Sequence, residues 1–391
     1  MRVFALLFSV LALSAAPASA QLGLPLPQTP QVPGVGDVVN QANQIGEEVQ
    51  QPLQNLRRTQ VRDLLRAHRR ELEADPHGMP IVRSQILAVG VSEAAITAAQ
   101  ARGFEVVRRD AIDAETSMVT LRAPAGMSTR RALRRLRDAD PQAVYDFDHL
   151  HLESGLGLTV MSFAQSGASN GPRVGLVDSG VNSSVRVAAQ RAFVTDQPVA
   201  GEHGTMIAGL ISSAAPGAHI YAADIYGGAP TGGASSALAR ALGWLASENV
   251  AVINVSLVGP RNRVVEAVVA RLVARGFVIV AAVGNDGPAA APLFPASYEG
   301  VVGVTGVDAH DRILVEAGRG AQVDFAALGV QGRARGTSYA TPIVAARLAT
   351  RLQTPGASAV QNALGAMRAE ARDLGARGRD DIYGYGLISA P

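Results

Sequence analysis

From Pro172 onward the chain alternates short, almost wholly apolar runs with segments of helical length, and this alternation constrains the fold more than any other feature. Residues 174–177, 219–225, 251–255 and 277–283 lack the in-and-out polarity of a half-exposed strand. Near-continuous apolar strands belong to a parallel sheet covered on both faces. Between them the pattern predicts a helix after His203 and helices over 234–247 and 264–274, with short connections. Right-handed crossovers then give an α/β architecture, a doubly wound, mostly parallel sheet with helices on both faces. With 4% aromatic residues and 41 Gly in the chain, small side chains must form the helix-to-sheet contacts.

At 391 residues and 48% hydrophobic content the chain can bury more than one core, so two or three folding units are expected. Arg2 precedes a nearly unbroken apolar run to Ala16, and Ala18-Ser19-Ala20 gives a small-x-small cleavage pattern; residues 1–20 therefore read as a signal peptide. A membrane anchor would need about 20 apolar residues, and Pro17 interrupts this run. No later segment is long and apolar enough to span a bilayer, so no membrane span remains after signal removal, and a secreted or periplasmic protein is expected. Residues 21–52 mix Pro, Gln, Gly and Val without periodicity and read as a leader without fixed structure. Over 53–76, Leu53, Leu56, Leu64, Leu65 and Leu72 fall on one face of an amphipathic helix, with Arg57 and the other arginines mostly off it.

Residues 80–153 form the next unit. Strands over 86–89, 104–108 and 118–122 alternate with helices opened by Ser92 and Ser128, and 143–152 reads as one last strand. The order β-α-β-β-α-β is the split βαβ pattern of ferredoxin-like domains. The arginine run 130–137 reads as a solvated helix face. A net charge of +2 with no lysine gives no reason to expect a nucleic-acid partner. Cysteine is absent, which excludes disulfides and thiolate metal sites.

Four segments of the 172–391 unit carry groups capable of chemistry. Asp178 ends the run 174–177, where open α/β sheets gather ligands; alone, it is also an ordinary turn aspartate. His203-Gly204-Thr205 opens an apolar helix. A histidine there becomes a general base only when a carboxylate holds one ring nitrogen and a nucleophile meets the other. Ser338 lies in Gly336-Thr337-Ser338-Tyr339-Ala340-Thr341-Pro342 ahead of a helix over 343–352, whose N-terminal dipole favours an oxyanion; the plain alternative is an N-cap serine. Asn285, in Gly284-Asn285-Asp286-Gly287 after a buried strand, can donate its amide to the same oxyanion, or serve only as a turn residue.

Taken together, Val-Asp-Ser-Gly at Asp178, His-Gly-Thr at His203, Ala-Ala-Val-Gly-Asn at Asn285 and Gly-Thr-Ser-Tyr-Ala-Thr-Pro at Ser338 resemble the subtilases, the subtilisin-like serine proteases. The resemblance runs from about Pro172 to the closing Tyr383-Gly384-Tyr385-Gly386-Leu387. It implies a secreted serine endopeptidase made as a zymogen, with Ser338 as nucleophile, His203 as base and then acid, Asp178 as the group that orients the imidazole, and Asn285 in the oxyanion hole. It also implies that Ser256, Leu257, Val258 and Gly259 pair with the backbone of a polypeptide substrate, and that Ala282 and Gly284 line the substrate site. The implied partners are polypeptide substrates and the chain's own propeptide, residues 80–153, whose end at His149-Leu150-His151-Leu152-Glu153 would lie near the active site; cleavage would fall between Glu153 and Pro172.

Three positions depart from the family pattern: Val258 stands where glycine is usual, Met206 where a second histidine is usual, and Tyr339 where methionine is usual. Val258 is expected to narrow the cleft. No cofactor and no metal ligands are expected; calcium, common in the family, remains open, though the short loops offer no clear Asp, Asn and carbonyl cluster for it. Ala281, Ala282, Val283, Leu293 and Phe294 suggest an apolar side chain before the scissile bond. The competing reading is a secreted module with this fold that cleaves only itself or nothing. Sedolisins share Gly-Thr-Ser but use Glu as base and Asp for the oxyanion, which His203 and Asn285 contradict.

Overall fold

The computed structural model describes residues 35–153 and 171–389, with side chains from residue 51 onward. The 1–20 signal, residues 21–34 of the leader and nearly all of the expected cleavage stretch lie outside the described residues. The chain divides into two units, Met1–Asn43 and Gln44–Pro391, and the first is described only from Val35, where a helix begins.

That helix, α1 (Val35–Ala67), corrects two expectations. The leader is helical from Val35 instead of lacking structure to residue 52, because extending a helix is far easier than nucleating one, and Pro52 lies inside it without ending it. At its other end α1 stops at Ala67, and Leu72 belongs to a strand, β1 (Leu72–Ala74). Leu72 is buried with Val82, Leu150 and Ala234, beside Leu64 and Leu65, and this burial outweighs the helical periodicity that assigned it to α1. Leu56, expected on the apolar face, is 44% exposed.

The next elements follow the expected order: β2 (Pro80–Val89), α2 (Glu93–Ala101), β3 (Glu105–Ala111), β4 (Ser117–Arg122), α3 (Thr129–Ala139) and β5 (Val144–His149). β2 lies between β4 and β5, with β3 outside β4 and every pair antiparallel, which is the split βαβ arrangement. The Oγ atoms of Ser92 and Ser128 accept from Ala95 N at 3.1 Å and Arg131 N at 3.4 Å, capping both helices. Side chains alternate across β2: Ile86 and Ala88 join Ile96 of α2 and Leu133 of α3, whereas Leu87 and Val89 enter a core shared with the larger unit. The single strand expected over 143–152 is two. β5 ends at His149, and β6 (Leu152–Glu153) leaves for another sheet; an alternating pattern fixes which residues face inward but not which edge they pair with.

The larger sheet contains β7 (Arg173–Asp178), β8 (Ala189–Ala192), β9 (His219–Asp224), β10 (Val252–Val255), β12 (Val278–Ala282), β13 (Val302–Val307) and β14 (Phe325–Leu328), while β11 (Leu257–Val258) stands apart and pairs with β6. The seven strands run parallel in the order β14-β13-β12-β10-β7-β9-β8. Helices α4 (Glu202–Ala214), α7 (Thr337–Ala349) and α8 (Ala357–Glu370) share a core with Val174 and Leu176 of β7. Helices α5 (Ser235–Ser247) and α6 (Arg263–Ala274) share the opposite core with Val177. The strand order reverses between β7 and β10, and at such a switch point the carboxyl ends of the strands open a crevice. Asp178 ends β7 there, and Ser256 follows β10.

Two carboxylates of β5 reach the N-termini of the helices on that opposite face. Asp148 accepts from Ser236 N at 2.8 Å and Ser236 Oγ at 2.7 Å, and Asp146 accepts from Arg263 N at 2.7 Å. Asn262 caps α6 and donates to Phe147 O at 2.8 Å. Negative charge at a helix N-terminus is favourable; even so, complete burial pushes the Asp148 carboxyl above its ordinary value.

Candidate active site

Asp178 is fully buried at the end of β7. His203 stands in the first turn of α4, and its Nδ1 lies 2.9 and 3.0 Å from the two carboxylate oxygens of Asp178. Ser179 N steadies the same carboxylate at 2.8 Å. Gly204 is what lets helix and strand end meet: a Cβ there would sit 2.1 Å from Ser179 O. Burial alone would push the His203 imidazole down, but the charge and hydrogen bond of Asp178, helped by Glu153, outweigh it and hold the ring above its ordinary value. With Nδ1 facing a carboxylate, the neutral ring carries its proton there and presents Nε2 as the base. Nε2 is buried and makes no hydrogen bond, so the Asp–His half of the array is formed and the His–Ser bond is not. Such bonds commonly tighten only with substrate.

Ser338 is fully buried inside the first turn of α7, which begins at Thr337 rather than near residue 343. The N-cap is Gly336 at φ +144°, so Ser338 is not the ordinary capping serine. The next side chain, Tyr339, sets its ring 5.6 Å from the His203 imidazole at 56°, which puts the start of α7 against the base. Pro342 lies inside α7 and has no N–H to give the carbonyl four residues back. That carbonyl belongs to Ser338, and Ser256 Oγ donates to it at 3.1 Å.

Asn285 follows β12 through Gly284, whose φ of +101° suits glycine. Its Oδ1 accepts from Thr337 N at 3.0 Å, and Gly284 N donates to Thr337 Oγ1 at 3.2 Å. The two bonds tie the end of β12 to the start of α7 and orient the amide, whose Nδ2 is its donor end. Ala282 is the last residue of β12, and Gly284 abuts Leu293, whose Cδ1 would be 2.5 Å from a Cβ added at Gly284.

The expected substrate segment is occupied. β6 pairs antiparallel with β11, Glu153 opposite Leu257 and Leu152 opposite Val258, so Val258 accepts a neighbouring strand. Gly259 and Phe294 exchange backbone hydrogen bonds at 2.8 and 3.1 Å. The Glu153 carboxylate comes within 4.8 Å of ligand atoms of Asp178 and His203. Burial raises its pKa and the negative Asp178 adds to this, against the pull of His203 and a hydrogen bond from Ser179. Among the described residues these three could share a cation. Two carboxylates and one imidazole fall short of the six to eight oxygens that calcium takes, and Nδ1 and Asp178 already bind each other, so these residues do not fit calcium.

Sequence reasoning missed one member of this region. Arg57 of α1 forms an ion pair with Asp286, the residue after Asn285, at 3.1 Å between Nε and Oδ2. A partner 229 positions away leaves no local signal.

The family profile for the Subtilase family matches residues 169–386, more than half of the chain. This protein belongs to the subtilase family. Family membership makes it a serine-type endopeptidase, and subtilase chemistry needs no cofactor. The subtilase is 26% identical over 296 residues to subtilisin E of Bacillus subtilis (strain 168), with 66% of this chain and 77% of that protein covered. It is 31% identical over 206 residues to the minor extracellular protease Epr of the same organism, where the match takes in 48% of this chain but spans only 32% of the relative. Its fold is similar to that of fervidolysin from Fervidobacterium pennivorans, a keratinolytic enzyme related to subtilisin, with a TM-score of 0.63, 18% identity, and coverage of 79% of this chain and 60% of that one. Among the described residues no helix is long and apolar enough to cross a membrane.

Proposed function

We propose that this subtilase is exported as a zymogen, cuts itself beyond Glu153, and then hydrolyses polypeptides through an acyl-enzyme on Ser338. The observation that carries the reading is β6 lying on β11 as an added antiparallel strand, with Glu153 beside the Asp178–His203 pair. A substrate held by β-augmentation would lie in the same place. Ser338 Oγ attacks the carbonyl carbon, and His203 Nε2 takes the hydroxyl proton and gives it to the leaving amine. Asp178 keeps the ring in the required tautomer and stabilises the imidazolium. The oxyanion receives hydrogen bonds from Asn285 Nδ2 and Ser338 N, each such donor contributing roughly 3 kcal/mol to transition-state stability. Water then repeats the sequence and frees Ser338. Ser256 to Gly259 hold the substrate backbone, and Ala282 and Gly284 wall the pocket beside it.

Residues 80–153 act as the propeptide in this reading, supported by the buried faces of β2 and by Asp146 and Asp148 at the N-termini of α6 and α5. Residues 1–20 direct export, to the periplasm or beyond; the relative Epr is called extracellular in its name. Incubation of the purified chain and of its Ser338→Ala variant tests the whole. Self-cleavage between Glu153 and Pro172 followed by hydrolysis of unfolded protein is expected in the parent alone. An uncleaved, inert parent would leave a binding module with a protease fold.

A further inference from the structure

A cavity of about 770 Å³ lies between α1 and the segment that follows β12, within the range of about 300–1,000 Å³ usual for small-molecule sites. α1 lines it with two stripes. Val61 and Leu65 form an apolar one, and Arg58, Arg62, Arg66 and Arg69, also at helical spacing, form a cationic one beside it. The facing wall is apolar, made by Ala290, Ala291 and Leu293. Asp286 is the one acid among the lining residues. It is already engaged: Arg57 Nε lies 3.1 Å from its Oδ2 and Arg57 Nη1 3.4 Å from its Oδ1.

The four arginines of the stripe are exposed, and little on the protein answers their charge. Arg62 and Arg66 reach only Asp63, at 3.9 and 3.8 Å, and exposed pairs of this kind contribute little. Among the described residues Arg58 and Arg69 form no ion pair. An acidic peptide would answer the arginines and leave the apolar wall in water; an apolar chain segment would cover the wall and leave the arginines unanswered. A single molecule with an alkyl tail and an anionic head satisfies both. A carboxylate suits the head, because the guanidinium fork matches its two oxygens. The arginine stems then lie along the tail while their charged ends stay at the rim. We propose that this cavity is a binding site for a long-chain fatty carboxylate, its tail against Leu65, Ala291 and Leu293 and its head among Arg58, Arg62 and Arg66. The ligand would bridge α1 to the catalytic unit, so the site exists only while α1 is docked.

The assignment does not depend on the protease reading, because binding is measured on the full chain carrying Ser338→Ala, in which α1 and the residues after it stay uncut. Isothermal titration with dodecanoate, below its micelle concentration, should show one saturable site. Dodecyltrimethylammonium, with the same tail and the opposite charge, should bind about tenfold more weakly or worse, as for the loss of a hydrogen bond to a charged group. Acetate, the head alone, should not bind at the same concentrations. Arg58→Gln combined with Arg62→Gln should weaken dodecanoate by about tenfold or more, and Ala291→Asp, on the facing wall, should weaken it as well. These three side chains are exposed, and an unchanged Tm shows that each variant is folded. No saturation by dodecanoate, equal affinity for the two head groups, or an affinity untouched by the substitutions on either wall overturns the proposal.

Discussion

Replacing Gly259 with alanine should loosen β6 from the cleft while sparing the rest of the catalytic unit. The three nearest heavy atoms that a new Cβ would meet all belong to His151, at 2.6, 2.9 and 3.0 Å, from Cδ2, Cγ and Nε2. The His151 ring cannot retreat, since the residue is 0% exposed and its backbone N donates to Gly233 O at 2.7 Å. Burial also lowers its pKa to about 4, so at neutral pH the ring is uncharged and the clash is one of shape. Overpacking at such a contact costs about 1–3 kcal/mol, which corresponds to opening of β6 that is favoured by about 5- to 150-fold. Hydrogen exchange of the backbone amides of residues 151–153 measures this, in a Ser338→Ala chain that keeps the segment uncut. His151→Ala should abolish most of the effect of Gly259→Ala in a double-mutant cycle. Unchanged exchange, or the same acceleration with and without the imidazole, would refute the argument that the ring is wedged against Gly259.

Asp178→Asn should lower kcat by about 10⁴-fold with little change in fold, since it keeps the shape but disfavours the Nδ1–H tautomer; steady-state kinetics on the processed enzyme check it. Asn285→Ala should cost about 10²–10³-fold in kcat and leave KM nearly unchanged, because the amide acts on charge that develops in the transition state. The third prediction concerns acid. Burial would raise the Asp113 carboxyl, but the hydrogen bond and charge of Arg271 on α6 and two backbone amides outweigh it and bring the pKa to about 2. The ionised form is therefore the one that ties the turn between β3 and β4 to α6, so its contribution is complete above the ordinary 3.8 and is lost as pH falls towards 2. Asp113→Asn should lower Tm at pH 5 and make progressively less difference as the pH is brought down to 2.

The larger sheet was legible because its strands are buried on both faces and its helices carry their own period, so local composition and tertiary environment agree. The candidate catalytic groups were legible because each belongs to a short block whose glycines have local work to do, as Gly204 has beside Ser179. Boundaries set by distant contacts were not legible. Leu72 fits a helical face as well as it fits β1, and only Val82 and Leu150 decide between them. The break between β5 and β6 depends on the edge offered by Leu257 and Val258. Arg57 reads as one more solvated arginine, because the carboxylate it meets lies elsewhere in the chain.

The missing N–H of Pro342 has a mechanical consequence. An ordinary helix would satisfy the Ser338 carbonyl from within, and its first turn would hold its position whatever happened nearby. Here that carbonyl is held by the hydroxyl of Ser256, which begins the stretch proposed to grip the peptide backbone. Grip and nucleophile are thereby yoked through a single oxygen, and a peptide that draws the one into place draws the other with it.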